Sequence, residues 1–333
     1  MTSNPTAAND TMPTFDRILV ATDFSVASQA ACRTAIDTCF SLGASLFILH
    51  VFNSASAPPE GNGARSDAAG VPQSAGNGFA ANSTDAPSIY EHCRQSLDEL
   101  RRQAVLAGVA CEAILGKGAP TAEILETIAK KKIDLTIMGT SALHGLERIV
   151  FDSTTEAVLR QAPCPVLTVG PRARRHERAL DTAGPVVFAT DFHFSTIHAI
   201  RFAACFSQLT ESPLHCLHVM PRTLEACAEC QVVPTIMSEA LHELATESGV
   251  VVEAPICATT YGSEVSTAVV DYARQQKAKL IVLGVRRASL EASQTHLHIA
   301  YRIITEAPCP VLTMAFATQP DTATSKRKVS AAV

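Results

Sequence analysis

The sequence contains the same ordered series of segments twice, and this duplication limits the fold more than any other feature. Four segments of the first half return in the second: "ILVATDFS" (18–25) as "VVFATDFHFS" (186–195), "LFILHVF" (46–52) as "LHCLHVM" (214–220), "IDLTIMG" (133–139) as "AKLIVLG" (278–284), and "APCPVLTVG" (162–170) as "APCPVLTMA" (307–315). Because the order is preserved and the period exceeds 100 residues, the pattern indicates tandem duplication of a whole domain rather than a short-repeat solenoid.

Within each half, short apolar runs alternate with helical patterns. Runs such as "RILVAT" and "PVLTVG" are apolar on both faces, as buried parallel strands are. The spacing predicts a first helix over about 28–42, ended by Gly43, with an inward face of Cys32, Ile36, Cys39 and Phe40. A later helix over about 121–132 turns Ile124, Leu125 and Ile128 inward. This alternation predicts an α/β fold in which helices cover both faces of a parallel sheet.

Composition narrows the class of protein and its location. A chain of 333 residues with 47% hydrophobic content suits two globular domains. A net charge of −5 and a pI of about 6.1 argue against a nucleic-acid partner. No apolar run approaches the ~18 residues of a membrane span, and the polar N-terminus lacks a signal segment. Eleven cysteines without such a signal favour reduced thiols in the cytoplasm.

The expected organisation follows from the repeat and from two stretches outside it. We predict a disordered N-terminus (1–13), a first domain (14–170) with a mobile Gly/Ala/Ser/Pro-rich insert (53–87), a linker (171–184), a second domain (185–316) and a disordered tail (317–333).

The repeated motifs resemble those of the universal stress protein family in its tandem form. The resemblance implies two tandem five-stranded parallel α/β sandwich domains with the adenine-nucleotide α-hydrolase-like fold. Because last strands pair across a dimer axis in that family, it also implies that the twin "APCPVLT" strands (165–169 and 310–314) pair within this chain and give a pseudo-dimer, which leaves no unpaired strand edge there. One branch of that family binds ATP through Gly-x2-Gly-x9-Gly-Ser/Thr, and another lacks the motif. Glycines let the backbone approach phosphates, and the helix N-terminus after them supplies N–H donors.

This chain keeps only part of that motif. The first half reads Gly139, Ala142, Asp152, Ser153, and the second reads Gly284, Arg287, Leu297, His298. A carboxylate about 4 Å from a phosphate charge costs up to ~4 kcal/mol at an effective dielectric of about 20, whereas a helix terminus returns only about 0.3–1 kcal/mol. Asp152 is therefore expected to weaken ATP binding in the first half, and the second half is expected not to bind it.

The resemblance implies a vestigial nucleotide pocket in the first domain, with Asp23 near a ribose, Val51 near an adenine, and Gly139, Ser153 and Thr154 at the phosphate end. Two alternatives remain open. Ser153 with Glu156 spells a capping box, so its hydroxyl caps the following helix instead. Asp23, like Asp191 in the second half, caps the turn into the next helix instead.

The resulting hypothesis is a cytoplasmic stress-response protein that acts as a regulatory or protective binding protein, without catalysis. No cofactor is expected, apart from weak binding of ATP with Mg²⁺ in the first domain. Protein partners are expected, homodimerisation stays open, and nucleic acid and membrane are not expected. The alternatives are an ATP-binding protein that uses the first domain only, with slow hydrolysis, and a pure interaction scaffold.

Several weaker signals favour structural roles. The lone CxxC of Cys227 and Cys230 is a poor zinc or redox signal, because structural zinc usually takes four ligands. Arg286 and Arg287 are expected in a solvated loop, and His296 and His298 at a helix entry.

Overall fold

The structure is a computed structural model of the chain. It describes residues 13–52, 89–141, 153–173, 183–192, 197–224, 255–287 and 294–317, and five isolated positions between 232 and 239. The strands are β1 (Arg17–Ala21), β2 (Ser45–Phe52), β3 (Cys111–Lys117), β4 (Leu135–Gly139), β5 (Val166–Val169), β6 (Val186–Ala189), β7 (Leu214–Pro221), β8 (Ile256–Gly262), β9 (Leu280–Arg287) and β10 (Val311–Ala317). The helices are α1 (Val26–Leu42), α2 (Ile89–Leu106), α3 (Pro120–Lys131), α4 (Ser153–Gln161), α5 (Ile200–Leu209), α6 (Val265–Gln275) and α7 (Gln294–Glu306), with short 3-10 turns at Ile197–Ala199 and Arg222–Leu224.

All ten strands form one sheet in the order β3-β2-β1-β4-β5-β10-β9-β6-β7-β8. Strands within each half are parallel. The halves join where β5 and β10 pair antiparallel, with Leu167 opposite Leu312. The Thr313 hydroxyl also donates to the Val166 carbonyl across this buried seam, at 3.2 Å. The pairing of the twin "APCPVLT" strands that the sequence predicted is therefore confirmed.

Both faces of the sheet carry cores that extend across the two halves. One core packs under α1, α2 and α5, and the other under α3, α4, α6 and α7. The segment before β1 packs against the second half of the chain. The ring centroid of Phe15 lies 4.7 Å from that of Phe206 in α5. A Cβ on Gly170, just after β5, would lie 2.0 Å from the Ile304 carbonyl oxygen of α7. The halves are thus in direct backbone contact.

The boundaries of α1 follow local sequence signals. One residue expected on its buried face is exposed. Ser25 caps α1, and Gly43 ends it in the left-handed conformation at φ 66°. Cys32 and Cys39 are buried as predicted, but Phe40 is 69% exposed, so its assignment to the inward face is wrong. Phe40 is one helical step past the buried stripe, and its ring lies over Gly108, at the end of α2.

A second correction concerns the end of β9. Arg286 and Arg287 were expected in a loop, but they are the last residues of the strand, paired with Phe316 and Ala317 of β10. The ladder continues because β10 extends to Ala317 and offers both arginines backbone partners. In α3, Ile124 and Ile128 are buried as predicted and Leu125 is half-buried. His296 and His298 lie in the first turns of α7, whereas the insert 53–87, most of the linker and the 318–333 tail lie outside the described residues.

Candidate functional site

In the first half, a cavity of about 230 Å³ opens at the carboxyl ends of the central strands. Across the sheet, strand numbers fall from β2 to β1 and then rise to β4, so the order in which the chain adds strands changes side at β1. Open α/β sheets bind ligands at such switch points. The cavity is lined by the ends of β1, β2 and β4 and by the first turns of α1, α3 and α4: Ala21, Thr22, Asp23, Ser25, Ala27, Ser28, Leu49, His50, Val51, Pro120, Ile124, Met138, Gly139, Ser141, Thr154 and Thr155.

The structure brings four of the five candidate residues together. Asp23, Val51, Gly139 and Thr154 all line this cavity, but Ser153 does not. Ser153 is exposed and is the first residue inside α4, so it does not occupy the capping position in front of the helix. Its expected capping-box partner Glu156 instead accepts hydrogen bonds from Arg160. Ala142 and Asp152 lie outside the described residues.

The turn between β1 and α1 is held by a chain of side-chain hydrogen bonds. Asp23 Oδ1 accepts the Ser25 backbone N–H at 3.0 Å, and the Thr22 hydroxyl donates to Ser28 Oγ at 3.0 Å. Partial burial opposes ionisation of Asp23, but hydrogen bonds from Ser25 and Ser28 outweigh it and lower its pKa. Asp23 therefore supports the turn and also presents a carboxylate to the cavity, so the two interpretations of this residue are compatible.

His50 is a cavity residue that the sequence reasoning did not identify. Its Nδ1 lies 2.8 Å from the Thr22 carbonyl oxygen, and its ring lies 4.4 Å from the Phe24 ring. Phe24 has a φ of 63°, a conformation that costs non-glycine residues energy. The Phe24 N–H is bound by the Thr22 hydroxyl. The sequence signal that could have identified this arrangement is the occurrence of the segments "ATDF" and "LHV" in both halves.

Gly139 has a packing role that does not involve a ligand. A Cβ at this position would lie 2.1 Å from the Ala27 carbonyl oxygen in the first turn of α1. Any larger residue would push β4 and α1 apart. The glycine is therefore explained by the contact between strand and helix, and its presence alone does not indicate phosphate binding.

Thr155 provides a second unpredicted feature of the site. Its side chain is fully buried at the cavity wall, and its hydroxyl has no hydrogen-bond partner among the described residues. A buried hydroxyl without a partner costs free energy. Because this oxygen has almost no accessible surface, a polar ligand in the cavity would reach it only after a local shift of the wall.

The second half contains an equivalent cavity of about 220 Å³ with a different wall. Its lining residues are Ala189, Thr190, Asp191, Leu217, His218, Val219, Val265, Val269, Leu283, Gly284, Val285, Ile299, Ala300 and Ile303. The β-strand side is repeated closely: His218 Nδ1 lies 2.9 Å from the Thr190 carbonyl oxygen, and Phe192 again has a positive φ of 58°. The helix side changes, because the twin "APCPVLT" segments align Thr154 and Thr155 with Ile299 and Ala300.

Among the residues that the structure describes, neither cavity is lined by a thiol or by a metal-binding cluster. Among the described residues, no group of three or more His, Cys, Asp or Glu side chains could hold a metal ion. Burial raises the pKa of the Cys32 thiol to about 12 and that of Cys111 to about 11, which makes these thiols poor nucleophiles. Cys227 and Cys230 lie outside the described residues. Within the described chain, no helix is both long and apolar enough to cross a membrane.

Relatives with this sequence pattern were found among curated proteins. A universal stress protein from Methanocaldococcus jannaschii is 40% identical over 81 residues, which are 24% of this chain and 48% of that protein. A putative universal stress protein from Staphylococcus haemolyticus is 29% identical over 160 residues, which are 47% of this chain and 86% of that protein. The chain thus matches about half the length of the first relative and most of the second.

Solved structures share the two-domain fold. A universal stress protein from Archaeoglobus fulgidus superposes with a TM-score of 0.63 at 19% identity, covering 90% of this chain and 98% of that one. A functionally unknown protein from Pseudomonas aeruginosa superposes with a TM-score of 0.55 at 16% identity, covering 92% and 95%. At these identities the likeness shows the fold alone. The universal stress protein family model, however, matches residues 14–170 and 183–314, and the chain therefore belongs to the universal stress protein family, in a tandem form with two copies of the family's domain.

Proposed function

We propose that this protein is a stress-response binding protein that acts by regulation or protection, and that its first-half cavity is the ligand site. The observation that carries the proposal is the Thr155 hydroxyl, which is buried in the wall of a switch-point cavity without a partner among the described residues. Folded proteins keep few such groups, and each one calls for an explanation, of which a polar ligand is one.

The side chains that line the first cavity favour a ligand that has one apolar face and several hydroxyl groups. Leu49, Val51 and Ile124 provide an apolar surface, and Ser141, Thr154 and Thr155 provide hydroxyls. The Asp23 carboxylate accepts hydrogen bonds, and acidic residues at such switch points bind ribose hydroxyls. This set of groups suits a nucleoside.

Phosphates fit this site less well. Asp23 already supplies a negative charge at the cavity, and Asp152 precedes the first residue of α4 in sequence. The repulsion estimated above for a carboxylate next to a phosphate exceeds what one helix terminus returns. We therefore propose weak binding of ATP with Mg²⁺ in the first half, and no resident cofactor.

A second candidate function is ATP binding by the first half, with slow hydrolysis. Thr154 and Thr155 in the first turn of α4 favour it, because hydroxyls and N–H groups at a helix N-terminus are suited to phosphate oxygens. Under either function we place the protein in the cytoplasm, since the cysteines of the described residues are free thiols. We further propose that the signal passes to protein partners.

Calorimetry with adenosine, AMP and ATP, each with Mg²⁺, tests the proposal. We expect affinity to fall from adenosine to ATP and no ADP release above background. Tightest binding of ATP would support the second candidate, and binding of none of the three would support a scaffold without a ligand. Val51→Phe should block binding, whereas the matched change Val219→Phe in the second cavity should leave it unchanged, because the two residues occupy equivalent wall positions.

A further inference from the structure

The second-half cavity has an aliphatic wall where the first-half cavity has hydroxyls. Ile299 and Ala300 of α7 replace Thr154 and Thr155, and Val285 follows Gly284 at the end of β9. Val265 and Val269 of α6 complete that side. Among the residues that the structure describes, the side chains of this wall offer a phosphate or a ribose no hydrogen-bond donors, so burying either group against them would be unfavourable.

The polar end of this cavity offers hydrogen-bond acceptors. His218 Nδ1 lies 2.9 Å from the Thr190 carbonyl oxygen, and a carbonyl oxygen only accepts, so Nδ1 carries the proton. In a neutral ring, Nε2 is then an acceptor. Asp191, which also lines the cavity, adds a carboxylate. Two acceptors at one end favour a ligand head group that donates a hydrogen bond, and they disfavour an anion.

The volume of the second-half cavity suits a small molecule. A cavity of about 150 Å³ lined by aliphatic side chains holds benzene, and the second-half cavity, which opens to solvent, has about 220 Å³. One ring with a short alkyl chain therefore fits inside it.

We propose that the second half binds a small apolar molecule that carries a single hydrogen-bond donor, such as a phenol or an alcohol, with its apolar part on Ile299 and Ala300 and its donor on His218. This site is separate from the first-half cavity, so it stands or falls independently of the proposed nucleoside binding. The duplicated chain then contains two ligand sites of different chemistry.

Three probes that share a propylbenzene body and differ in their head group test the proposal: 4-propylphenol, propylbenzene and 4-propylbenzoate. Each is titrated by calorimetry into the full-length chain at about pH 8. We expect 4-propylphenol to bind with a dissociation constant below about 1 mM, which a ten-atom ligand of ordinary efficiency reaches. Propylbenzene should bind about threefold to tenfold more weakly, the contribution of one hydrogen bond. 4-Propylbenzoate should bind more weakly than both, and a negative heat-capacity change should accompany binding.

Two pairs of variants assign the site. The double variant Ile299→Thr, Ala300→Thr gives the second cavity the hydroxyls of the first, and it should weaken 4-propylphenol at least about tenfold because buried apolar contact is lost. The reciprocal variant Thr154→Ile, Thr155→Ala is the matched control and should leave that affinity unchanged. His218→Asn keeps a donor for the Thr190 carbonyl and removes Nε2, so it should abolish the preference for 4-propylphenol over propylbenzene. His50→Asn should not.

Specific outcomes would overturn the proposal. Binding of none of the probes would do so, as would a preference for 4-propylbenzoate or an equal loss of affinity in the two double variants. If His218→Asn fails to fold, as judged by thermal unfolding, the comparison of the three probes on the wild-type chain still decides the head group. If Ile299→Thr, Ala300→Thr fails to fold, Val285→Thr replaces it with the same expected direction.

Discussion

Among the residues that the structure describes, the two cavities differ most on the side formed by α4 and α7. Their volumes are about 230 and 220 Å³, and each has a histidine that donates to a threonine carbonyl beside a phenylalanine of positive φ. The walls formed by α4 and α7 differ, with two threonines in the first half and Ile299 and Ala300 in the second. Duplication has thus kept the residues that shape the turn and changed those on the helix side of the cavity.

This difference separates two kinds of residue in the repeated motifs. Thr22 and Phe24, like Thr190 and Phe192, bind their own backbone and set the path of the chain after the first strand of each half. These bonds lie within the chain and involve no ligand. The residues on the helix side of the cavity differ between the halves at the positions given above.

The largest expected effect tests whether charge explains the weak nucleotide binding of the first half. Replacing both Asp152 and Ala142 by glycine should strengthen ATP binding, by at most about a thousandfold, because it removes a repulsion of up to ~4 kcal/mol. Calorimetry with Mg²⁺ measures the change. Asp152→Asn, which keeps a capping side chain and removes the charge, should give most of the gain.

The matched change in the second half is Leu297→Gly, and it should give no ATP binding because the wall of that cavity remains aliphatic. Tight ATP binding by the wild-type chain would contradict the charge argument. An unchanged affinity in a folded Asp152→Asn variant would contradict it as well.

Gly139 tests whether a motif residue serves packing or a ligand. Gly139→Ala should lower the free energy of unfolding by about 1–3 kcal/mol, because the new Cβ would overlap the Ala27 carbonyl oxygen. Chemical denaturation of the ligand-free protein measures this. Leu106→Ala, at a position 88% exposed, is the control and should change stability little. Unchanged stability combined with lost nucleoside binding would assign the glycine to the ligand instead.

Thr155→Val tests whether the Thr155 hydroxyl lowers the stability of the fold while it favours ligand binding. The change removes a buried hydroxyl without a partner among the described residues and keeps its shape. It should raise the free energy of unfolding by about 1 kcal/mol and weaken adenosine binding. Ala300→Val, at the equivalent position of the second half, removes no hydroxyl and should not stabilise. A destabilised Thr155→Val variant would mean that the hydroxyl has a structural partner.

The smallest effect concerns the pH dependence contributed by Asp23. Its pKa is lowered in the folded protein because hydrogen bonds from Ser25 and Ser28 outweigh the effect of partial burial. The ionised form therefore stabilises the fold above the unfolded pKa of about 3.9, and this contribution is lost as the pH falls through the lower folded value. The difference in stability between wild type and Asp23→Asn should be constant above about pH 5 and shrink below about pH 4.

The size of this difference should be a few tenths of a kcal/mol, because the carboxylate is half-exposed and screened by solvent. Urea denaturation across pH 3–6 measures it, in the range given by the reference pKa. An increase in the difference as the pH falls would show that the pKa of Asp23 is raised rather than lowered.

Much of the fold could be predicted from the sequence because burial leaves a strong pattern. The central strands are apolar on both faces, which identifies β1, β4 and β5, and the twin strand motif predicted the β5–β10 seam. Phe40 was misplaced because it lies at the edge of the apolar stripe of α1, where periodicity does not separate a buried position from an exposed one. Arg286 and Arg287 were misplaced because the length of β9 depends on its neighbour β10.

The candidate site was only partly predictable. Asp23, Val51, Gly139 and Thr154 were identified through the family resemblance, and they do line one cavity. His50 and Thr155 were missed because neither belongs to the nucleotide motif, and their positions depend on how β2 and α4 pack against β1 and β4. Their roles as ligand contacts remain predictions.

The sequence by itself determined the duplicated α/β architecture, since strand burial and the repeat of motifs are local and one-dimensional signals, whereas the pairing of the two halves was predicted through the family resemblance. Only the tertiary structure decided which side chains share a cavity, because those residues come from strands and helices far apart in the chain. It also decided that Gly139 is required by the Ala27 carbonyl and that the Thr155 hydroxyl lacks a partner among the described residues. Both facts concern distances between atoms of separate elements, and no linear pattern records such distances.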